Sequence, residues 1–270
     1  MTKIKNLLTI AGSDPSGGAG IQADIKTFSA TGSYGMSVIT GLTAQNTQGV
    51  QAIHPVPAEF VKAQLDSLFA DIQIDGIKIG MLGDASIMQA IVPTLRDFNG
   101  PIVLDPVMVA KGGASLMSHT AAQTLIEVLL PLAGLVTPNL PEMAVLVGQA
   151  EAQSQQQMQQ QAEQLIKLGA KAVLAKGGHL VVGEGVRESS DLLIMQDGFH
   201  WFSAPRIETA NTHGTGCTLG SAICSYWAQT ADLPSAVAQA KTYIQGAIEH
   251  ANQLKVGQGH GPTHHFYRVF

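Results

Sequence analysis

Charge, cysteine and long apolar runs are scarce in this chain of 270 residues. Charged residues make up 13% of it, against about 25% in an average soluble protein. The net charge is −5, so the chain is not expected to bind nucleic acid, which needs a basic surface. No apolar run approaches the roughly 18 residues of a membrane-spanning helix, so no membrane partner is expected either.

The two cysteines, Cys217 and Cys224, have a spacing that fits neither a disulfide framework nor a Cys-x-x-Cys metal site. The apolar run near the N-terminus has about five residues, which is shorter than the roughly 7–15 residues of a signal peptide. These two observations favour a reduced, cytoplasmic protein.

Glycine, in contrast, is abundant. It accounts for 29 of the 270 residues, about 11% against an average of about 7%. Hydrophobic residues make up 45% of the chain, enough to bury a sizeable core and to exclude disorder. Without a collagen-like period, the extra glycines are expected in turns and where the backbone closely approaches a ligand.

Short apolar runs rich in β-branched residues alternate with longer amphipathic stretches, a pattern typical of a mostly parallel sheet covered by helices on both faces. The predicted strands are Leu7–Ala11, Ser37–Leu42, Gly76–Ile79, Ile102–Asp105, Leu135–Thr137 and Ala172–Ala175. The predicted helices are Phe60–Asp71, Ala85–Asp97, Ala121–Leu130 and Gln155–Leu168. No flexible linker or internal repeat divides the chain, so residues 1–270 are expected to form a single domain.

Three further segments have distinct patterns. An Asp-Gly turn between Asp191–Gln196 and Gly198–Ala204 predicts a hairpin. One long helical region is predicted from residue 217 to about residue 253. The glutamine-rich segment Gln149–Gln164 keeps apolar residues at helical spacing, which predicts a helix with a solvated face.

The first glycine cluster, Gly12–Gly20, follows the first predicted strand and precedes a helix. It is not a P-loop, because Gly18 and Ala19 stand where Lys and Ser or Thr are needed. It is not a dinucleotide-binding fingerprint, because no acidic residue lies between Asp24 and Glu59 to bind the ribose. The cluster is therefore either a tight strand-to-helix turn or a loop that brings the backbone close to a small ligand.

The second cluster, Asn211–Ile223, contains Gly214-Thr215-Gly216 directly before a helix. Backbone N–H groups at a helix N-terminus bind anions such as phosphate. Cys217 lies in the first turn, where the helix dipole is expected to favour the thiolate. Cys224 is expected to be a small buried hydrophobic residue.

Polar residues follow three other predicted strands. Lys176 emerges with two glycines after Ala172–Ala175, at the sheet edge where ligands bind in open α/β folds. Asn139 and Glu142 lie between prolines, and Asp105 ends a strand; such oxygen ligands suit Mg²⁺. Each residue alone also has a simpler explanation, as a helix cap or a surface charge. Together they supply what phosphoryl transfer requires: an anion hole, a cation, metal ligands and a proton acceptor.

These motifs resemble those of the ribokinase-like small-molecule kinases. The similarity is closer to the hydroxymethylpyrimidine/phosphomethylpyrimidine kinases of thiamine biosynthesis, and it extends from Leu8 to Phe266. The segments that carry it are LTIAGSDPSGGAGIQADIKTF, GLTAQNTQGV, KIGML, LDPVM, TPNLPE, KGGH, NTHGTGCTL and GHGPTHHF. Most of the superfamily has Asp at the position of Cys217, and the cysteine form is shared by the pyrimidine kinases and some pyridoxal kinases.

The resemblance implies a single-domain, three-layer α/β/α fold with a central, mostly parallel sheet. It implies ATP- and Mg²⁺-dependent phosphorylation of 4-amino-5-hydroxymethyl-2-methylpyrimidine, and then of its monophosphate to the diphosphate. It also implies a homodimer. The implied roles are Cys217 as the base, Gly214, Thr215 and Gly216 as the anion hole, Lys176, Asn139 and Asp105 near the nucleotide phosphates, and Glu142 as the metal ligand.

The resemblance also implies a pyrimidine pocket, formed by Gly12, Asp24, Gln45, Met81 and Val107. The Gln45 amide carries a donor and an acceptor, so it can pair with an aminopyrimidine edge through two hydrogen bonds. Some relatives have Glu at this position. Asp24 is a candidate acceptor for the substrate's hydroxyl or amine, and Met81 and Val107 are candidates to face the ring.

Two alternatives stay open from the sequence. One is a pyridoxal kinase of the cysteine type, which would share the fold, metal and base. The other is a non-catalytic sensor that binds the pyrimidine. His213 and His179 adjoin the expected site by sequence and are either assisting groups or polar turn residues.

Overall fold

The computed structural model describes residues 3–108, 116–178, 180 and 188–270, and within these residues nine strands form one sheet. The strands are β1 (Asn6–Ser13), β2 (Tyr34–Asn46), β3 (Gly49–Pro55), β4 (Gly76–Ile79), β5 (Ile102–Leu104), β6 (Leu135–Val136), β7 (Val173–Lys176), β8 (Glu188–Met195) and β9 (Gly198–Pro205). Their order across the sheet is β3-β2-β1-β4-β5-β6-β7-β8-β9.

The six strands in the middle of the sheet are parallel to one another: β2, β1, β4, β5, β6 and β7. At one edge β3 pairs antiparallel with β2, and at the other β8 and β9 continue the sheet in antiparallel pairings. From β1 the chain passes to β2 and β3 on one side, and it then returns to form β4 on the other side of β1. The carboxyl ends of β1 and β4 therefore form a topological switch point, the place where open α/β sheets bind ligands.

Helices cover both faces of this sheet. They are α1 (Gly20–Ala30), α2 (Ala58–Asp71), α3 (Ala85–Asp97), α4 (His119–Thr124), α5 (Leu140–Val147), α6 (Gln155–Lys167), α7 (Thr215–Thr230) and α8 (Leu233–Glu249). A π-helical turn, Leu125–Leu129, continues α4, and a 3₁₀ turn, Ala251–Gln253, follows α8. One apolar core joins the sheet to α2 through α6, and a second joins it to α1, α7 and α8.

These layers confirm the α/β/α prediction, and the reason lies in the strands. All four residues of β4 are buried, because a parallel strand under helices has no solvated face. In β1, Leu7 points into one core and Leu8 into the other, as the two-residue period of a strand requires. The predicted hairpin is also confirmed, as β8 and β9.

The long helical region predicted from residue 217 to about 253 is wrong in one respect. It is two helices, α7 and α8, separated by Ala231, whose φ of +56° ends the first. Pro234 then occupies the first turn of α8, the position where proline is best tolerated. Within the described residues, no helix is both long and apolar enough to span a membrane.

Candidate active site

The two glycine clusters of the sequence lie against each other at the carboxyl ends of the parallel strands. Gly18 is in the loop after β1, and Gly214 is in the turn before α7. A Cβ atom on Gly214 would lie 1.7 Å from the carbonyl oxygen of Gly18. Gly214 also has a φ of +77°, a conformation that glycine adopts without steric cost. The contact between the loop and the turn therefore depends on a bare backbone on both sides.

The N-terminus of α7 is open to an anion. Its N-cap residue, Gly214, makes no side-chain cap hydrogen bond, and its first N–H groups lack intrahelical partners; that of Thr215 donates to the Thr212 carbonyl oxygen across 3.3 Å. A Cβ atom on Gly216 would lie 3.3 Å from Lys176 Nζ and 3.5 Å from Asp105 Oδ2. The Thr215 hydroxyl donates to a carbonyl oxygen of the turn, 2.7 Å away. The structure thus brings the expected anion hole, residues 214–216, next to Lys176.

Cys217 lies in the first turn of α7 and is half-buried. Burial raises the pKa of its thiol to about 11, although Lys78 and a hydrogen bond from the Gly20 N–H oppose this. The thiolate that the helix N-terminus was expected to favour is therefore not the dominant form in this structure. Desolvation, together with the negative charges of Asp24 and Asp105, outweighs the groups that favour ionisation. The thiolate is the minor form at neutral pH.

Lys176 lies between two of the other polar residues that follow strands, Asp105 and Glu142. Its Nζ lies 2.8 Å from Asp105 Oδ1 and 3.9 Å from Glu142 Oε2. Thr137 Oγ1 donates to the same Asp105 oxygen across 3.2 Å. Burial lowers the pKa of Lys176, but Asp105 and Glu142 raise it by more. The lysine therefore stays charged and is fixed beside the open end of α7.

Asn139 and Glu142 form a capping box at the start of α5. Asn139 Oδ1 accepts from the Glu142 N–H across 2.9 Å, and Glu142 Oε2 accepts from the Asn139 N–H across 2.8 Å. Of the two interpretations that the sequence left open, the structure therefore shows the helix cap. The cap also points the Glu142 carboxylate towards Lys176, so the two interpretations are compatible.

The donor set near Lys176 fits Mg²⁺ that arrives with a nucleotide. Among the described residues, no group of three or more His, Cys, Asp or Glu side chains is arranged to hold a metal. Mg²⁺ usually needs only one or two carboxylates, with waters and substrate phosphates completing its shell. Burial and the charge of Asp105 raise the pKa of Glu142 and Lys176 lowers it, with a net result of about 7. A bound cation would favour the ionised form of this carboxylate.

Gly12 and Met81 meet above the switch point. A Cβ atom on Gly12 would lie 2.2 Å from Met81 Cε, and one on Gly41 would lie 3.7 Å from the same atom. The Met81 backbone is held as well, since Thr40 Oγ1 donates to its carbonyl oxygen across 2.6 Å. A thioether held over two bare backbones can present an apolar face to a flat ring.

Gln45 lies on β2, half-buried, next to His213. Its amide is 3.2 Å from Thr43 Oγ1 and 3.4 Å from His213 Nε2. His213 Nε2 is also 2.8 Å from Asp14 Oδ2. Burial raises the pKa of Asp14, but hydrogen bonds from His213 and Ser16 bring it down to about 2. Asp14 is therefore an anion at neutral pH, and it anchors His213 beside the amide expected to recognise the pyrimidine.

The structure places Asp24 beneath the site instead of on its surface. Its side chain is fully buried, with both oxygens 2.9 Å from Lys78 Nζ. Thr9 Oγ1 and Ser221 Oγ donate to the same carboxylate across 2.6 and 2.7 Å. With these partners Asp24 does not line the pyrimidine pocket here, and the expected contact with the substrate's hydroxyl or amine is not available in this structure.

The other expected residues are placed as follows. Val107 is half-buried and comes two residues after Asp105, to whose carbonyl oxygen it donates across 2.9 Å. His179, which adjoins the expected site by sequence, lies outside the described residues.

Sequence reasoning missed Lys78. It is the one charged residue of β4 and is fully buried, and lysine is almost never fully buried unless it is paired. A lysine inside a short apolar strand is the signal that would have revealed it. Its partner, Asp24, is 54 positions away in the sequence, and no local pattern points to it.

A model of the phosphomethylpyrimidine kinase family matches residues 14–264. The chain belongs to this family. The hydroxymethylpyrimidine/phosphomethylpyrimidine kinase of Escherichia coli K12 is 49% identical over 263 residues, which cover 97% of each chain. Its membership makes the chain a kinase and confirms both the resemblance and the ribokinase-like fold.

Two solved structures of similar kinases extend the comparison. Phosphomethylpyrimidine kinase from Clostridium difficile 630 has a TM-score of 0.79 at 43% identity, over 91% of this chain and 100% of that one. Pyridoxal kinase from Staphylococcus aureus, in complex with AMP-PCP and pyridoxal, has a TM-score of 0.89 at 32% identity, over 99% and 95%. An ATP analogue in so similar a kinase supports ATP as the phosphoryl donor for this family member.

Proposed function

We propose that this chain transfers the γ-phosphoryl group of ATP to the hydroxymethyl oxygen of 4-amino-5-hydroxymethyl-2-methylpyrimidine, and a second one to the resulting monophosphate. Both steps belong to thiamine biosynthesis. The observation that carries the proposal is the meeting of an uncapped helix N-terminus, Lys176 and Cys217 at one end of the sheet. Phosphoryl transfer needs these groups to position and neutralise the phosphates and to accept a proton.

The backbone N–H groups of Gly214, Thr215 and Gly216 bind the phosphoryl group during transfer, because Gly214, the N-cap residue of α7, has no side chain that caps this end of the helix. Lys176 neutralises negative charge on the nucleotide phosphates, and Asp105 fixes its position. Mg²⁺, when bound, supplies further charge neutralisation on these phosphates. Glu142 holds that ion, and Asn139 orients Glu142 through the capping box.

Cys217 acts as the proton acceptor. As the substrate oxygen forms its bond to the phosphorus, the bond to the departing ADP breaks and ADP keeps the electron pair. The hydroxyl proton moves to the Cys217 thiolate. Because the thiol pKa is about 11, this thiolate is scarce at neutral pH. Most of the rate enhancement then comes from positioning and electrostatic stabilisation, and proton acceptance adds the remainder.

The residues proposed to recognise the pyrimidine lie on the other side of the switch point from Lys176. Gln45 offers its amide to the aminopyrimidine edge, and Thr43 holds that amide in place by donating to its Oε1. Met81 lies over Gly12 and contributes an apolar face for the ring. Val107 is proposed as a second apolar contact.

Pyridoxal phosphorylation is the second candidate function. It is favoured by the higher TM-score of the pyridoxal kinase structure, 0.89 against 0.79. The higher sequence identity to the pyrimidine kinases, 49% and 43% against 32%, favours the pyrimidine. A non-catalytic sensor is disfavoured, because Lys176, Glu142 and Cys217 together have no use in a protein that only binds the pyrimidine.

The substrate assignment is tested with purified protein, ATP and Mg²⁺, by comparing kcat/KM for the hydroxymethylpyrimidine, its monophosphate and pyridoxal. We expect the two pyrimidines to be the preferred acceptors, and we expect chelation of Mg²⁺ to abolish turnover. Faster turnover of pyridoxal than of either pyrimidine would reverse the assignment. Turnover of the first pyrimidine but not of its monophosphate would remove the second step.

A further inference from the structure

A buried ion pair lies against the helix that carries Cys217. Lys78 Nζ is 2.9 Å from each carboxylate oxygen of Asp24, and neither side chain has any exposed surface. Ser221 Oγ donates to Asp24 across 2.7 Å. Ser221 follows Cys217 by four residues on α7, so the two lie on the same face of the helix, one turn apart.

The surrounding backbone leaves room for the lysine. A Cβ atom on Gly80 would lie 2.8 Å from Lys78 Nζ, and one on Gly220 would lie 3.8 Å from Lys78 Cε. Gly220 follows Cys217 by three residues, so the lysine contacts the same face of α7 that Ser221 occupies. The helix that holds the proposed proton acceptor therefore rests directly on this ion pair.

Stability does not explain such a pair. Two charges removed from water lose their hydration, and their mutual attraction often only balances that loss. Apolar side chains of similar volume commonly serve a core as well or better. A buried pair next to a titrating thiol therefore calls for a role in the chemistry of the site.

Four charged groups from four elements act on the Cys217 thiol. They are Lys78 of β4, Asp24 of α1, Asp105 after β5 and Lys176 of β7. Lys78 favours the thiolate, and Asp24 and Asp105 oppose it. Lys176 and Asp105 form their own ion pair, with 2.8 Å between Nζ and Oδ1. Lys78 and Asp24 are the second pair, and their opposite charges act on the Cys217 thiol from beneath α7.

We propose that Lys78 and Asp24 are positioning residues for the proton acceptor: Lys78 stabilises the Cys217 thiolate, and Asp24 limits that effect by pairing with Lys78 and anchors α7 through Ser221. The proposal rests on the proposed function, in which Cys217 accepts the proton. Its direct consequence is that the two members of one ion pair have opposite effects on the ionisation of one thiol.

The test is the rate of Cys217 alkylation by iodoacetamide as a function of pH, followed by mass spectrometry of the peptide that contains Cys217. Iodoacetamide is uncharged, so its approach does not respond to the charge of the site, and only the thiolate reacts. Lys78→Met removes the cation and should slow alkylation, with its pH midpoint raised. Asp24→Asn leaves Lys78 unpaired and should speed alkylation, with its midpoint lowered. Each unit of midpoint shift changes the rate at a fixed lower pH about tenfold.

A purely structural role gives a different result. Loosening the core would expose the thiol, and both variants would then be alkylated faster. Ser221→Ala is the control, because it removes a hydrogen bond to Asp24 but no charge; it should lower the melting temperature without moving the midpoint. Shifts in the same direction for Lys78→Met and Asp24→Asn, or no shift in either, would overturn the proposal.

Two safeguards keep the experiment decisive. Cys224 is fully buried, so its alkylation reports unfolding, and a variant in which it reacts is excluded. If Lys78→Met does not fold, Asp24→Asn alone still has to lower the midpoint. Alkylation needs no turnover, so opposite shifts combined with a fully active Cys217→Ala variant would refute Cys217 as the proton acceptor, and with it the positioning role, and would leave only the effect of the ion pair on the ionisation of the thiol.

Discussion

At Gly214 a side chain is excluded for two separate reasons. The residue has a φ of +77°, and a Cβ atom would lie 1.7 Å from the Gly18 carbonyl oxygen. The positive φ alone would lower the free energy of unfolding by about 1–2 kcal/mol for any residue other than glycine. The Cβ contact would force the β1 loop away from the N-terminus of α7, and with it the backbone that is proposed to bind the phosphoryl group.

Gly214→Ala should therefore lose both stability and activity. Gly148 is the matched control, since it has a φ of +66° and no described atom within 4 Å of its Cβ position. We expect Gly148→Ala to lower the free energy of unfolding by about 1–2 kcal/mol with kcat/KM unchanged. Gly214→Ala should lower both quantities further, as measured by urea titration and steady-state kinetics. Equal losses of stability and full activity in the two variants would contradict the anion-hole assignment.

Single residues also mark the limit of what the sequence can predict. The glycine clusters, Lys176 and Cys217 were visible as motifs, and the structure brings them together. The ionisation of Cys217 was not predictable, because its pKa depends on burial and on Lys78, Asp24 and Asp105. These residues come from three distant parts of the chain, and only the folded sheet places them around the thiol.

At the scale of single elements, the Asn-x-x-Glu spacing at the start of α5 fits both a pair of oxygen ligands and a helix cap. Asn139 and Glu142 were interpreted together as oxygen ligands, with a helix cap as the alternative for each residue alone, and α5 was not predicted as a helix. The structure shows that they cap α5 reciprocally, which is the known sequence signature of a helix start. We expect the cap to be what points Glu142 at the nucleotide.

Asn139→Ala removes this cap and should lower the free energy of unfolding by about 0.5–2 kcal/mol. It should also raise KM for ATP, because Glu142 loses its fixed orientation. Ser154 caps α6, where its side chain accepts from the Gln157 N–H, so Ser154→Ala should cost similar stability and leave KM unchanged. Chemical denaturation and ATP-dependent kinetics of both variants provide the test, and an unchanged KM in Asn139→Ala would remove Asn139 and its cap from the site.

Strand prediction succeeded where strands are buried on both faces, and at the edges of the sheet it succeeded only for β9, whose hairpin with β8 is marked by an Asp-Gly turn. Gly76–Ile79 was predicted with its observed bounds, because four consecutive buried residues leave a clear apolar signal. β3 was missed because it is an edge strand whose residues are mostly exposed. Polar residues on such a strand resemble a loop, and only its pairing with β2 identifies it.

For the molecule as a whole, the C-terminal segment supports α7, the helix that carries Cys217. His265 is buried, and its Nε2 lies 3.1 Å from Thr218 Oγ1, one residue after Cys217. Its carbonyl oxygen accepts from Tyr243 Oη of α8 across 2.7 Å. Residues near the end of the chain therefore fasten α7 and α8 together, a contact that helical periodicity alone does not reveal.

This segment should make the protein sensitive to acid. Burial, with Lys26 and His264, lowers the pKa of His265 to about 3 from 6.5. The unfolded chain then binds the proton at a higher pH than the folded protein does, so the stability that the neutral form contributes is complete above about pH 6.5. It is lost progressively as pH falls towards 3, by a few kcal/mol in all.

His265→Gln should flatten the loss of stability between pH 6.5 and 4.5, measured as the free energy of unfolding in urea. His54→Gln, at an exposed position in β3, should leave the loss as it is in the parent protein. An unchanged pH dependence in His265→Gln would mean that folding does not shift the pKa of His265, and it would contradict this account of the acid sensitivity. The single domain and the homodimer stay predictions, and light scattering in solution tests the latter.

The central claim is that the turn containing Cys217 is where phosphoryl transfer to the pyrimidine occurs. ³¹P NMR of a mixture of enzyme, ATP, Mg²⁺ and the hydroxymethylpyrimidine tests it most directly, with Cys217→Ala and Cys224→Ala run in parallel. We predict that the parent and Cys224→Ala proteins form the pyrimidine monophosphate and then the diphosphate, and that Cys217→Ala forms them about 10²–10⁴ times more slowly. Formation of ADP without any phosphorylated pyrimidine, or equal rates in the two variants, would contradict the account.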